Sequence, residues 1–379
     1  MPEQVLILGA GFAGLEAATT LSEAFGDSLA VTLIDESDAF MVGFAKLDVQ
    51  FGDATLESVR APYARVAHPG VQFLQETVTA IDPAARNVTT DRNTYNADFI
   101  VVALGAGYDP DATPGFTESG GDLYSSDNAP RIAERIRAFS SGSAVIGVCG
   151  QPYKCTPAPS EAALLLHETL VSRGVRDRCE ITLVVPMPSP LPPSPDGARA
   201  LLAAFDEAGI HFTPGRTVTS VDVARRVVLF DDATELPYDL FLGVPKHRAP
   251  SVVIDAGLND GDAAGFIPAD VATMRTRFDG VYAAGDVTRV QGPKAGAFAE
   301  KQGRVAAEAI IAALRGGEHP PYDGQGSCYI EFGAGRVGRV DVDSLSGPKP
   351  TGGFVAPSPE VADEKRDFSA RRRARWFGG

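Results

Sequence analysis

A strand, a glycine turn and a helix occur twice in this chain, sharply from Val5 and in weakened form from Ala144. Each is followed by a second apolar strand, and two further strands close on Gly105 and on Gly285–Asp286. Together these observations predict an α/β fold of two Rossmann-like dinucleotide-binding domains, the first discontinuous, plus a small C-terminal region. The predicted boundaries are 1–116 with 238–316 for the first domain, 117–237 for the second and 317–379 for the C-terminal region.

At 379 residues and 44% hydrophobic, the chain can bury a large core spread over two or three domains. A formal charge of −15 argues against nucleic acid as a partner, because phosphate contacts need clustered Lys and Arg. Four cysteines in so long a chain are no extracellular disulfide framework, so any cystine is expected to be catalytic. No run approaches the roughly 18 apolar residues of a membrane span. The first strand begins near Val5, so no leader is expected before it. A cytoplasmic protein is the expectation.

VLILGAGFAGLEAA reads as a buried strand, a tight turn and a helix start. Gly9 permits the turn, and Gly11 lets backbone approach a pyrophosphate held on the helix N-terminus. Gly14 lets helix and strand pack closely. Phe12 and Ala13, between these glycines, join the cofactor set. The next strand, AVTLID, ends at Asp35, where a carboxylate would hold a ribose hydroxyl and disfavour a 2′-phosphate. Glu36 and Val78 are assigned to the same site. YNADFIVVALGA and FDGVYAAGDV resemble the "ATG" and "GD" signatures of two-dinucleotide-domain flavoproteins. That resemblance implies FAD near Gly105, Gly285 and Asp286, with the Asp286 carboxylate on the ribityl chain.

From 117 to 237 the pattern returns as a decayed internal copy: AVIGVCGQPYKC, then SEAALLLHETLVSRG, then EITLVVP. With Gly147 set on Gly9, Cys149 replaces the second glycine, and Pro152, Pro157 and Pro159 occupy the loop and helix entry. Proline removes N–H groups that would cradle a diphosphate, and the second strand ends on Pro186 rather than an acid. Bound NAD(P)H is therefore not expected. Cys149 reads as a small core residue. Cys155 stands just before a helix expected from about Ser160, where the helix N-terminus and Lys154 would favour a thiolate. Cys328 lies much later, in GSCYIEF, on a strand pair expected to turn at Gly333–Gly335.

KCTPAPSEAALLLHE with the later SCYIEF resembles the cysteine pair of flavocytochrome c sulfide dehydrogenase and of sulfide:quinone oxidoreductases. The likeness runs through GPKAGAFAEKQGRVAA to the terminal RARWFGG. It implies a Cys155–Cys328 redox disulfide over one face of FAD, sulfide or a small thiol as donor, and a quinone or electron-transfer protein as acceptor. It also implies that Lys294 and Ala295 begin a helix aimed at the flavin pyrimidine edge, stabilising negative charge on reduced flavin. AFMVGFAKL lacks the cysteine that tethers flavin in the sulfide dehydrogenase, so FAD is expected to be non-covalent.

Other candidates carry less. His167 reads as a packed or half-exposed helix residue, and His247 or Lys246 in PKHRAP as proton or anion helpers. Five histidines without ligand spacing give no metal site. EKRDFSARRRARWFGG, with six basic and two acidic residues, reads as a helix docked on its own domain, ahead of a weak peripheral membrane contact. A homodimer is also admitted. The alternatives to sulfur chemistry are an NAD(P)H-linked flavoprotein, such as a type II NADH dehydrogenase or ferredoxin reductase, and a redox-sensing binding module.

Overall fold

The protein is described here by a computed structural model covering residues 2–52 and 54–378. Strands β1 (Gln4–Leu8), β2 (Ala30–Asp35), β3 (Val71–Gln75) and β4 (Phe99–Val102) are parallel, with β1 between β2 and β4 and with β3 beside β2. After Gln4, VLIL is apolar without interruption because β1 is covered on both faces. Val5 and Ile7 enter one core cluster, while Leu6 and Leu8 enter another on the opposite face. Helix α1 (Phe12–Phe25) follows β1 directly, and α2 (Ala45–Phe51) lies beyond β2.

The second sheet holds β5 (Gly142–Val148), β6 (Cys179–Val185), β7 (Ile210–Pro214) and β8 (Leu240–Val244), all parallel, in the order β7-β6-β5-β8. A second domain ending at 237 leaves β8 to the first. Pairing of Ala144–Val148 with Leu240–Val244 instead puts β8 in the second sheet. LFLGV is a fully buried run, and such a run fits any parallel sheet. Each unit also carries a three-stranded antiparallel meander, over 78–96 and over 218–237. This shared add-on supports the reading of an internal copy. Helix α3 (Ala158–Ser172) sits between β5 and β6.

Strand β9 (Val281–Ala283) returns to the first sheet beside β4. Helix α4 (Gly296–Arg315) then packs on α1 so closely that a Cβ on Gly303 would lie 2.1 Å from the Ala13 carbonyl oxygen. Strands β10 (Gln325–Glu331) and β11 (Val337–Asp343) form the anticipated hairpin, with left-handed φ of 79° at Gly333 and 68° at Gly335. Strand β12 (Thr351–Ser358) completes the C-terminal sheet.

Helix α5 (Pro359–Phe377) opens on a Ser358 hydroxyl that accepts the Val361 N–H, with Pro359 at its first position. Its basic residues are used within the protein: Arg372 pairs with Glu300, and Arg375 pairs with Glu16 and Glu23. Trp376 is fully buried, edge-on to Phe12 and Phe40 at 5.4 Å each, and its indole N–H donates to Glu16 Oε2 at 2.8 Å. Docking on its own domain is thus the observed arrangement. No helix among the described residues is long and apolar enough to cross a membrane. Trp376→Ala is expected to cost about 3–5 kcal/mol, from a large cavity and from a hydrogen bond lost to the buried Glu16. Thermal unfolding monitored by circular dichroism checks it.

Candidate active site

Beside the switch point at β1, where the chain goes to β2 on one side and β4 on the other, lies a cavity of about 620 Å³. Of the residues singled out for cofactor and catalysis, Gly9, Gly11, Phe12, Ala13, Asp35, Glu36, Val78, Cys155 and Cys328 line it, as do Gly105, Gly285, Asp286, Lys294 and Ala295. Gly14 does not. A Cβ there would lie 1.8 Å from the Gly9 carbonyl oxygen, so Gly14 brings α1 onto the turn from behind. Gly9 has φ +100°, and its Cβ would meet the Ala103 carbonyl oxygen at 2.4 Å. A Cβ on Gly11 or Gly105 would instead point into open space.

Those openings, next to the uncapped N-terminus of α1, form a cradle for a diphosphate. Asp35 is held for ribose by the Ala10 N–H on Oδ2 at 2.7 Å and the Ser37 N–H on Oδ1 at 2.8 Å. Burial raises the Asp286 carboxyl against the pull of Lys154 and Lys294. The Lys294 ammonium donates to the Asp286 and Thr288 carbonyls at 2.7 and 2.8 Å and lies 3.6 Å from the centre of the Phe266 ring. Burial brings its pKa down to about 8. It is no solvated surface lysine. Helix α4 begins behind Ala295 without a side-chain cap, and Gly296 and Ala297 line the cavity. This set of groups fits FAD.

Cys155 and Cys328 line that same cavity from α3's entry loop and from β10, both as free thiols with no disulfide between them. Cys155 holds a left-handed φ of 51°, fixed by its N–H on the Lys294 carbonyl and by the Ala158 N–H on its own carbonyl, both at 2.9 Å. The Tyr124 hydroxyl donates to the Lys154 and Cys155 carbonyls as well. Helix α3 starts at Ala158, two residues before the sequence expectation.

The expected low-pKa thiolate at Cys155 is corrected. Burial pushes the thiol well above its ordinary value, and Glu161 and Cys328 push the same way. Lys154 gives it no support, because its ammonium donates to the Ala106 carbonyl at 3.0 Å and lies over the Tyr108 ring. Burial also pushes Cys328 up to about 12. Among the basic groups it is Lys46, bonded to the Tyr124 carbonyl, that draws the Cys155 thiol downward. Burial lowers Lys46 itself to about 8.

Glu161 was not singled out in the sequence. It is buried in the first turn of α3, accepts the Glu331 N–H on Oε1 at 3.0 Å, and places Oε2 4.0 Å from Cys155 Sγ. Burial raises its pKa to about 7, against the pull of Lys365. The signal was an acid in the apolar run SEAALLL, six residues past the cysteine. His247 is buried edge-on to Tyr108 and Tyr124, with Nδ1 2.8 Å from the Pro245 carbonyl oxygen. Burial lowers it to about 3, so it is neutral and no proton carrier near pH 7. Lys246 is exposed. His167 accepts from Arg176 Nε at 2.9 Å. Cys149 is buried in a core cluster, as expected.

The second unit's loop differs from the first: Tyr153 is buried in it, and Cys149, also buried, stands where the glycine turn has Gly11 facing open space. The loop's inner edge is tied to the first domain by the Cys155–Lys294 hydrogen bond.

Comparison with known proteins matches the geometry. The sulfide-quinone reductase of Aquifex aeolicus is 25% identical over 269 residues, 68% of this chain and 61% of that protein. An NADH dehydrogenase-like protein of Mycobacterium tuberculosis is 31% identical over 183 residues, 47% and 42% of the two chains. The matched stretches span less than two thirds of these relatives' own lengths. In structure, the sulfide:quinone oxidoreductase of Aquifex aeolicus has a TM-score of 0.88 at 20% identity, covering 100% of this chain and 92% of that one. NDH2 of Plasmodium falciparum, solved with NADH, has a TM-score of 0.76 at 11% identity, covering 100% and 97%. These likenesses are ones of fold, and the resemblance to the sulfide:quinone oxidoreductases extends over the whole chain. The profile of one family, pyridine nucleotide-disulphide oxidoreductase, matches residues 3–304. With its glycine cradle, Asp35 and Asp286 all inside that span, the chain belongs to the pyridine nucleotide-disulphide oxidoreductase family.

Proposed function

We propose that this protein is an FAD-dependent oxidoreductase that oxidises sulfide or a small thiol through a Cys155–Cys328 redox disulfide. Its electrons then pass to a quinone or another acceptor. The observation that carries the reading is the meeting of two cysteines, distant in sequence, in the cavity that fits the flavin dinucleotide. Bound non-covalently, FAD supplies two-electron acceptance and onward release in one- or two-electron steps.

The chain's own residues do the rest. A sulfide anion attacks one sulfur of the disulfide; a bond to the substrate sulfur forms, the Cys155–Cys328 bond breaks, and the other cysteine leaves as thiolate. Attacking as HS⁻, the substrate brings a proton that a persulfide formed on Cys155 must lose. Glu161 Oε2 lies 4.0 Å from Cys155 Sγ and, with a pKa of about 7, is poised to take that proton. Below about pH 7 it is already protonated and cannot accept, so sulfide-driven reduction rises as pH passes through that value. Glu161→Gln is expected to slow it about 10²-fold and to erase this limb. Stopped-flow flavin absorbance against pH reads both effects.

A second reading, NADH as donor, is favoured by the name of the mycobacterial relative. Buried Tyr153 in that loop, and Cys149 in place of a second glycine, speak against it. Peptide mapping tests the sulfur reading. After oxidation and alkylation under denaturing conditions, a linked Cys155–Cys328 peptide is expected, and it should vanish on reduction. Alkylation of both cysteines in the oxidised protein would remove the basis for the proposal.

A further inference from the structure

Helix α5, besides anchoring through Trp376, carries a buried lysine into the thiol site. Lys365 is paired with Glu331 Oε1 and lies over the Phe44 ring, 4.7 Å from its centre. The Glu331 N–H in turn donates to Glu161 Oε1 at 3.0 Å, and Glu161 Oε2 lies 4.0 Å from Cys155 Sγ. A line of contacts therefore runs from the C-terminal helix through β10 and α3 to the sulfur. We propose that Lys365 is a positioning residue of the thiol site, whose ammonium fixes the charge of buried Glu161 and half-buried Glu331 and so sets the pH at which Cys155 gives up its proton. The inference rests on the reading of Cys155 as a reacting sulfur.

The charge balance at the site makes this ammonium necessary. Three carboxylates from three elements face it: Glu161 from α3, Glu331 from β10 and Asp48 from α2. Cys155 and Cys328 add two groups that become anionic when they react, and Lys46 is the cation that acts on Cys155 itself. Burial alone would lower the Lys365 ammonium, but the three carboxylates outweigh it and its pKa is raised. The ammonium therefore keeps its charge throughout the neutral range. Without it the pocket would hold mutually repelling acids in a dry site, and they would stay protonated. The step it governs is a proton transfer: the S–H bond of Cys155 breaks, an O–H bond forms at Glu161 Oε2, and nothing is oxidised or reduced.

The test is the pH dependence of iodoacetamide alkylation at Cys155 in the anaerobically reduced, FAD-loaded protein, read peptide by peptide by mass spectrometry. This readout needs no electron donor. Lys365→Met leaves Glu161 protonated to higher pH and so removes its anionic push on the thiol; the profile should move to lower pH by about one unit, making alkylation about tenfold faster at pH 8. Glu331→Gln relieves the repulsion on Glu161, keeps it ionised and should move the profile slightly to higher pH, while Lys365→Arg should leave it near the wild-type position. Shifts of opposite sign separate an electrostatic role from loosened packing. An unmoved profile in Lys365→Met, or shifts in one direction in both Lys365→Met and Glu331→Gln, would overturn the proposal. If the profiles shift as stated while sulfide fails to bleach the wild-type flavin, the functional reading falls and the role of Lys365 stands.

Discussion

Cys328→Ser is expected to slow flavin bleaching by sulfide more than about 10³-fold, the scale on which removal of a reacting nucleophile is felt. FAD content and melting temperature should stay near wild type, because serine is nearly isosteric and Cys328 lines the cavity rather than filling a core. Cys155→Ser should behave the same way, since exchange needs both sulfurs. Cys149→Ser should leave the bleaching rate within a few-fold, its side chain being packed in a separate core cluster. Anaerobic stopped-flow spectroscopy distinguishes these outcomes, and a Cys328→Ser protein that bleaches at the native rate would contradict the disulfide route.

Two glycines only three residues apart are expected to fail in different ways. Gly14→Ala drives a methyl to within 1.8 Å of the Gly9 carbonyl oxygen. Backbone on both sides leaves no flexible neighbour to yield, so stability should fall by about 3 kcal/mol or more, with FAD loss as a consequence. Gly11→Ala meets no protein atom within 4 Å. The apoprotein should melt as wild type does, yet FAD affinity should fall, because the new methyl stands where a diphosphate would approach. Thermal melts of the apoproteins and flavin titrations separate the two. Equal melting temperatures for Gly14→Ala and wild type would show that the turn is not the tight contact described.

Much of this was legible in the sequence because the signals are local. The run from Val5 to Gly14 specifies strand, turn and helix within ten residues, and Asp35 follows at the end of the next strand. The hairpin behind Cys328 turns where Gly333 and Gly335 permit left-handed backbone. What stayed hidden is what distant segments impose. Local cues at Cys155, a helix N-terminus and Lys154, pointed to a thiolate, but desolvation of the thiol and the neighbouring Glu161 outweigh both. Lys365 lies in a stretch dense with charge and reads as solvated until Glu331 and Phe44 are brought against it. Glu161 needed the Glu331 backbone, 170 residues later, before its burial made sense. Strand β8 carries no mark of which sheet receives it.

The account stands on sulfur having replaced nicotinamide as the entry for electrons, and an anaerobic flavin titration with sulfide, a small thiol, NADH and NADPH tests this directly. The expected result is bleaching of the oxidised-flavin absorbance by sulfide or the thiol, with the oxidised spectrum retained in NADH and NADPH. Prompt bleaching by NADH with none by sulfide would contradict it.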